Sequence, residues 1–246
     1  WFIDRLEGGS AFYNIPFALR LRGTLDAGAL EHALGEIVRR HEVLRTTFPD
    51  VQGTPVQRIA PFTGFALRRE DVSAGGGEAA EAEARRRAAA ETARPFGLAA
   101  GPPVRATLLR LGADDHVLLL CIHHIGGDGW SVGVLFGELA ALYGAYVRGE
   151  APPLAPLPVQ YADYAAWQRA QMRGEALERQ VAWWKARLAG APPLLELPID
   201  RPRPAVRTHR GARERMELSA ALLERLRGLG RGEGATLYMV LLAAFQ

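Results

Sequence analysis

The run His123-His124-Ile125-Gly126-Gly127-Asp128-Gly129-Trp130-Ser131 puts two imidazoles, a carboxylate and three glycines into nine residues. It lies between two segments of different periodicity. His116-Val117-Leu118-Leu119-Leu120-Cys121-Ile122 is almost unbroken apolar sequence, the pattern of a strand buried on both faces. From Ser131 apolar residues recur at Val132, Leu135, Phe136, Leu139, Leu142 and Tyr143, which predicts an amphipathic helix with Ser131 as its N-cap. The histidines therefore fall where a rigid strand ends and the backbone turns, a place that fixes a side chain yet can open to a cleft.

Adjacent strand residues point to opposite faces, so His123 and His124 cannot share one task, and one of them is expected to face a cleft. A neutral imidazole, with an unperturbed pKa near ~6.5, can accept or orient a proton, a role typically worth ~10²–10⁴-fold in rate. Asp128 could orient the imidazole or pair with an arginine. Gly126, Gly127 and Gly129 permit backbone angles and close approaches that a Cβ would block. No Cys or Glu accompanies the pair at usual ligand spacing, so no metal is expected. In Val43-Leu44-Arg45-Thr46-Thr47-Phe48, read as an alternating strand, Arg45 falls among residues expected to be buried, where a guanidinium needs a carboxylate. Asp128 is its expected partner, with backbone carbonyls or solvent as the alternative.

Other function classes gain little support. All but one of the 30 basic residues are arginine, Lys185 being the exception, and the net charge is only +3. The arginines are dispersed, with the longest run, Arg85-Arg86-Arg87, inside an acidic, alanine-rich segment, so no nucleic-acid partner is expected. No stretch reaches the ~18 apolar residues of a membrane span. The single cysteine, Cys121, excludes an intrachain disulfide; it is expected as a small core residue in a cytoplasmic protein.

Along the chain, Phe17 to Arg22 predicts a half-exposed strand, and Asp26 caps a helix with Leu30, Leu34, Ile37 and Val38 on one face. Val43 to Phe48 and Pro55 to Ile59 are expected to pair around Gly53. Glu78 to Arg94 reads as a helix, and Val104 to Leu111 as a hairpin partner of the strand ending in His123. Ala151 to Pro158 is a proline-rich linker. Gln160 to Leu188 reads as helical, with Tyr161, Tyr164 and Trp167 expected to pack. Strand Ala212 to Leu218, helix Ser219 to Leu229 and an apolar helix from Ala235 complete the chain.

The His-His-x-x-x-Asp-Gly run followed by Trp-Ser resembles the core signature of condensation domains of nonribosomal peptide synthetases. Arg40-His41-Glu42-Val43-Leu44-Arg45-Thr46-Thr47-Phe48 matches the family's Arg-His-x-x-Leu-Arg-Thr-x-Phe motif. Tyr13-Asn14-Ile15-Pro16, Tyr161-Ala162-Asp163-Tyr164-Ala165-Ala166-Trp167-Gln168, Leu197-Pro198-Ile199-Asp200-Arg201-Pro202-Arg203-Pro204 and Arg210-Gly211 resemble further motifs in the expected order. The resemblance implies an α/β fold of two lobes, each similar to chloramphenicol acetyltransferase, with the active site in the tunnel between them. Residues 1–189 would be the first lobe, 190–211 the crossing, and 212–246 the beginning of the second lobe in a truncated domain.

The same resemblance implies peptide-bond formation between substrates carried on the 4'-phosphopantetheine arms of upstream and downstream peptidyl carrier proteins, beside an adenylation domain, with no cofactor bound directly. His124 would lie near the attacking amine, as base or as positioning group, and His123 would act mainly on stability. An arginine of the Arg-His motif would pair with Asp128, with Arg45 favoured over Arg40. Gly129 would allow close approach of a substrate arm or supply a backbone donor. Trp130 and Ser131 would line the tunnel, unless Ser131 is only the helix cap. Heterocyclisation, epimerisation and recruiting subtypes alter this motif in ways not present here, and the Asp-Gly-Trp-Ser ending looks most like domains that join two L-residues. Gly97, in Phe96-Gly97-Leu98, stands where the family usually has aspartate. The alternatives are a freestanding acyltransferase of the same fold and a non-catalytic scaffold fragment.

Overall fold

The apolar run before the histidines forms an inner strand of a mixed sheet, as its two-sided hydrophobicity demands. The computed structural model describes residues 1–203, 211–212 and 214–246, in two units, Trp1–Leu195 and Glu196–Gln246. The first unit holds α1 (Phe2–Leu6), β1 (Asn14–Arg22), α2 (Ala27–Arg40), four short strands, β2 (Thr46–Thr47), β3 (Asp50–Val51), β4 (Thr54–Pro55) and β5 (Arg58–Ile59), then β6 (Arg68–Asp71), α3 (Gly77–Ala93), β7 (Val104–Gly112), β8 (Asp115–His123), α4 (Gly129–Val147), α5 (Tyr161–Gln171) and α6 (Gly174–Arg187). The second holds α7 (Ala220–Gly232) and α8 (Leu237–Phe245). The main sheet runs β1-β8-β7-β6, with β8 antiparallel to both neighbours and β6 parallel to β7.

Alternation along β8 sorts its side chains between two cores. Leu118, Leu120 and Ile122 pack with Leu30, Leu34 and Ile37 of α2 and with Leu135, Leu139 and Leu142 of α4. Val117 and Leu119 pack with Leu109, Leu111 and the small Ala80 and Ala84 of α3. Each fully buried Leu or Ile stabilises the fold by about 1.5–3 kcal/mol, so β8 is held from both faces. By length and composition α4 alone could cross a membrane, contrary to the sequence expectation, but its Leu135, Leu139, Leu142 and Ala145 are buried in this unit. Asp26 caps α2 as expected, accepting from the amides of Gly28 and Ala29 at 2.9 Å.

The segment after α2 departs from expectation. Glu42–Arg45 is a 3-10 turn rather than a strand; it sends Leu44 into the core, and the Thr46 hydroxyl closes it by donating to the Glu42 carbonyl at 2.7 Å. The expected pairing around Gly53 is split into Thr46–Thr47 against Arg58–Ile59 and Asp50–Val51 against Thr54–Pro55, with Gln52 and Gly53 at positive φ in the tight turn. The helical stretch after Gln160 is broken in two, Gly174 taking a positive φ of 51° at the start of α6. Tyr161, Tyr164 and Trp167 are 53%, 43% and 57% exposed and touch mainly one another, which corrects the packing expectation. Pro204, Arg210 and Arg213 lie outside the described residues, and residues 214–218 form no strand. In the second unit Ser219 and Thr236 cap α7 and α8 by accepting from the amides of Leu222 and Met239.

Candidate active site

The end of β8 is fixed from both neighbouring chain segments. The His123 amide donates to the Pro103 carbonyl at 2.9 Å and the His124 amide to the Tyr13 carbonyl at 2.8 Å. His123 turns inward and is only 2% exposed, between the rings of Tyr13 and Phe96. Its Nδ1 accepts from the Ile125 amide at 3.0 Å, so the neutral ring carries its proton on Nε2, a buried atom with no hydrogen-bond partner among the described residues. Burial pushes its pKa below the ordinary histidine value. His124 is exposed, with only the Tyr13 ring at its edge. Two identical residues thus occupy opposite environments.

Asp128, not Ser131, is the N-cap of α4. Its Oδ1 accepts from the Ser131 amide at 2.9 Å and the Ser131 hydroxyl at 2.7 Å, and these bonds hold the carboxyl below the ordinary aspartate range. A helix accepts a cap at the first residue that can reach back to its free amides, which here lies three residues before the serine. None of the three motif glycines has a positive φ. Gly126 is nonetheless required, because a Cβ there would sit 3.1 Å from Pro103, whereas nothing lies within 4 Å of one at Gly129. Trp130 is 85% exposed.

The expected Arg45–Asp128 pair is not formed. The 3-10 turn brings Arg45 back onto Glu42 at 3.2 Å, with a further bond to the Ala60 carbonyl, and no arginine pairs with Asp128 among the described residues. Arg40 also has a different partner, Glu138 of α4 at 3.2 Å, and it donates to the Ala155 carbonyl of the proline-rich linker at 2.7 Å. His41 Nε2 lies 2.7 Å from the same carboxylate. Burial disfavours the ionised Glu138, but the bonds from His41 and Arg40 outweigh it and lower its pKa. Gln160 adds a brace, donating to the Arg40 carbonyl and accepting from the Glu42 amide, while it forms a capping box with Asp163.

The Arg-His and His-His motifs meet across a cleft of about 230 Å³. Ile15, Ile37, Val43, Ile122, Val134 and Leu135 give it apolar walls; His41, Asp128 and Ser131 are its polar side chains, and Trp130 also lines it. His124 is not among its walls. Glu138 escaped sequence reasoning although a signal was present, for it is the sole charged residue in α4. Cys121 is fully buried and burial raises its thiol pKa, which makes it a core residue rather than a nucleophile.

The condensation domain family model matches residues 1–246. The chain is 50% identical over its whole length to a linear gramicidin synthase of Brevibacillus parabrevis, covering 3% of that protein. Among solved structures it is similar to the X-domain from teicoplanin biosynthesis, with a TM-score of 0.80 and 34% identity over 96% of this chain and 51% of that one. The first condensation domain of the calcium-dependent antibiotic synthetase, in complex with a substrate analogue, gives a TM-score of 0.73 and 29% identity over 99% of this chain and 57% of that one. The chain thus spans a small part of the curated relative and about half of each solved structure. With a family match along its whole length and an α/β fold of the chloramphenicol acetyltransferase-like kind, the protein belongs to the condensation domain family.

Proposed function

We propose that this chain supplies the histidine-bearing side of an active site that forms an amide bond between two carrier-bound substrates, most simply two L-residues. The amine of the downstream aminoacyl group attacks the carbonyl of the upstream thioester. The new C–N bond forms as the C–S bond breaks, and the thiolate leaves with the proton that the amine gives up. Both substrates would arrive on 4'-phosphopantetheine arms of peptidyl carrier domains, with adenylation domains loading them, in keeping with the length of the synthase relatives. We assign the reaction to the cytoplasm, a setting with which the single free thiol of Cys121 agrees.

The observation that carries this reading is the separation of the two histidines at the rigid end of β8. His123 is packed in the interior, which leaves His124 as the imidazole available to a substrate amine. Positioning alone can contribute several kcal/mol, and proton transfer about 10²–10⁴-fold. The test is single-turnover transfer between loaded carrier proteins, in the condensation-domain protein that contains this chain. His124→Ala is expected to cut transfer by at least about tenfold with an unchanged melting curve. Wild-type turnover in that variant would remove His124 from the reaction.

A further inference from the structure

Glu138 has a side chain only 12% exposed, and it gathers two basic residues from the end of α2. Arg40 Nη2 donates to Oε1 and His41 Nε2 meets Oε2. Arg40 is fixed in turn by the carbonyls of Leu154 and Ala155, so the carboxylate cannot swing away without stranding a buried guanidinium. A carboxylate held ionised has only lone pairs to offer. The hydrogen at the 2.7 Å contact therefore belongs to His41 Nε2.

This assignment fixes the other ring nitrogen. In neutral His41, Nδ1 must be the lone-pair acceptor, and it has no hydrogen-bond partner among the described residues. His41 also lines the cleft beside the motif turn, where the other two polar side chains, Asp128 and Ser131, are hydrogen-bonded to each other. One oriented acceptor on an otherwise apolar wall is the arrangement that fixes a ligand through its N–H while the rest of it packs.

Resting on the reading of this site as a condensation centre, we propose that His41 is a binding residue for an N–H donor of a carrier-borne aminoacyl-pantetheine, and that Glu138 is the positioning residue that sets its tautomer. The N–H belongs either to the aminoacyl group or to an amide of the pantetheine arm. Both present the same donor to Nδ1.

The test uses the condensation-domain protein that contains this chain, labelled with ¹⁵N at histidine, titrated with pantetheine and separately with a stable amide analogue of L-leucyl-pantetheine. The free protein is expected to show an unprotonated Nδ1 at His41, whose resonance moves on ligand addition. Movement with pantetheine assigns the donor to the arm; movement with the leucyl analogue alone assigns it to the aminoacyl group. His41→Phe, which keeps the ring shape and loses the acceptor, is expected to weaken binding about tenfold, or about 1.4 kcal/mol. His41→Asn is expected to lose less. Glu138→Gln turns an amide N–H toward Nε2, which is expected to move the His41 proton to Nδ1 and weaken binding in the same direction. Wild-type affinity in His41→Phe, or a protonated Nδ1 in the free protein, overturns the proposal even if Glu138→Gln folds poorly. Intact binding without carrier-to-carrier transfer overturns only the functional reading.

Discussion

Asn14 stands opposite His123 in the β1–β8 ladder, and its side-chain amide donates to the carbonyls of Thr92 and Arg94 at 2.8 and 2.9 Å. The strand beside the buried histidine is thereby tied to the end of α3, where carbonyls lack intrahelical partners. Asn14→Ala removes both bonds. The expected cost is about 1–3 kcal/mol, read as a lower urea midpoint with an unchanged slope.

Arg40 and Glu138 form the buried ion pair of this unit, with side chains 6% and 12% exposed. Truncating either to Ala strands the other charge and is expected to destabilise by about 3–5 kcal/mol. Arg45→Ala breaks a more open contact with Glu42 and is expected to cost no more than about 1 kcal/mol. Denaturant titrations of the three variants rank the arginines, and a larger loss at Arg45 would reverse the assignment.

Because Asp128 caps α4, its removal has the size of a lost cap rather than of a broken buried pair. Asp128→Ala is expected to cost about 0.5–2 kcal/mol, and Asp128→Asn, which can still accept from the Ser131 amide, little. Thermal melts separate these outcomes. A loss of several kcal/mol in the Asn variant would require a charged partner for Asp128.

The lowered pKa of His123 makes stability depend on pH with a definite sign. Above about pH 6.5 the imidazole is neutral whether the chain is folded or not; below it the unfolded chain takes up a proton that the folded one refuses. The stability associated with the neutral ring is therefore present above the unfolded value and lost as pH falls through the folded one. His123→Asn keeps an acceptor for the Ile125 amide and is expected to flatten the stability profile between about pH 7 and 5. An acid-side slope equal to that of wild type would show that the ring titrates freely.

What the sequence made legible was local. The β7–β8 hairpin, the Asp26 cap and the opposition of His123 and His124 all follow from patterns within a dozen residues. The misread positions depend on spacings that look alike on paper. Val43 to Phe48 alternates as a strand would, yet Glu42 and Arg45 are three apart, and only a helical turn brings such residues together. Asp128 and Ser131 are both good caps, and the earlier of the two took the position. Glu138 meets Arg40 from 98 positions away, a contact that only the packing of α4 on α2 creates.

The histidine doublet reads the same in either order, so nothing within it says which member is hidden. That information sits at the far end of β8, where the ladder with β7 changes register between Arg110 and Gly112. Because side chains alternate with a period of two, a slip of one residue there would bring His124 inside and present His123 to solvent. The hairpin works as a vernier whose setting is read off some dozen residues downstream. Grafting the nine-residue run onto another strand would carry the letters of the site without its phase, and any transplant has to bring the turn at Gly112–Asp115 with it.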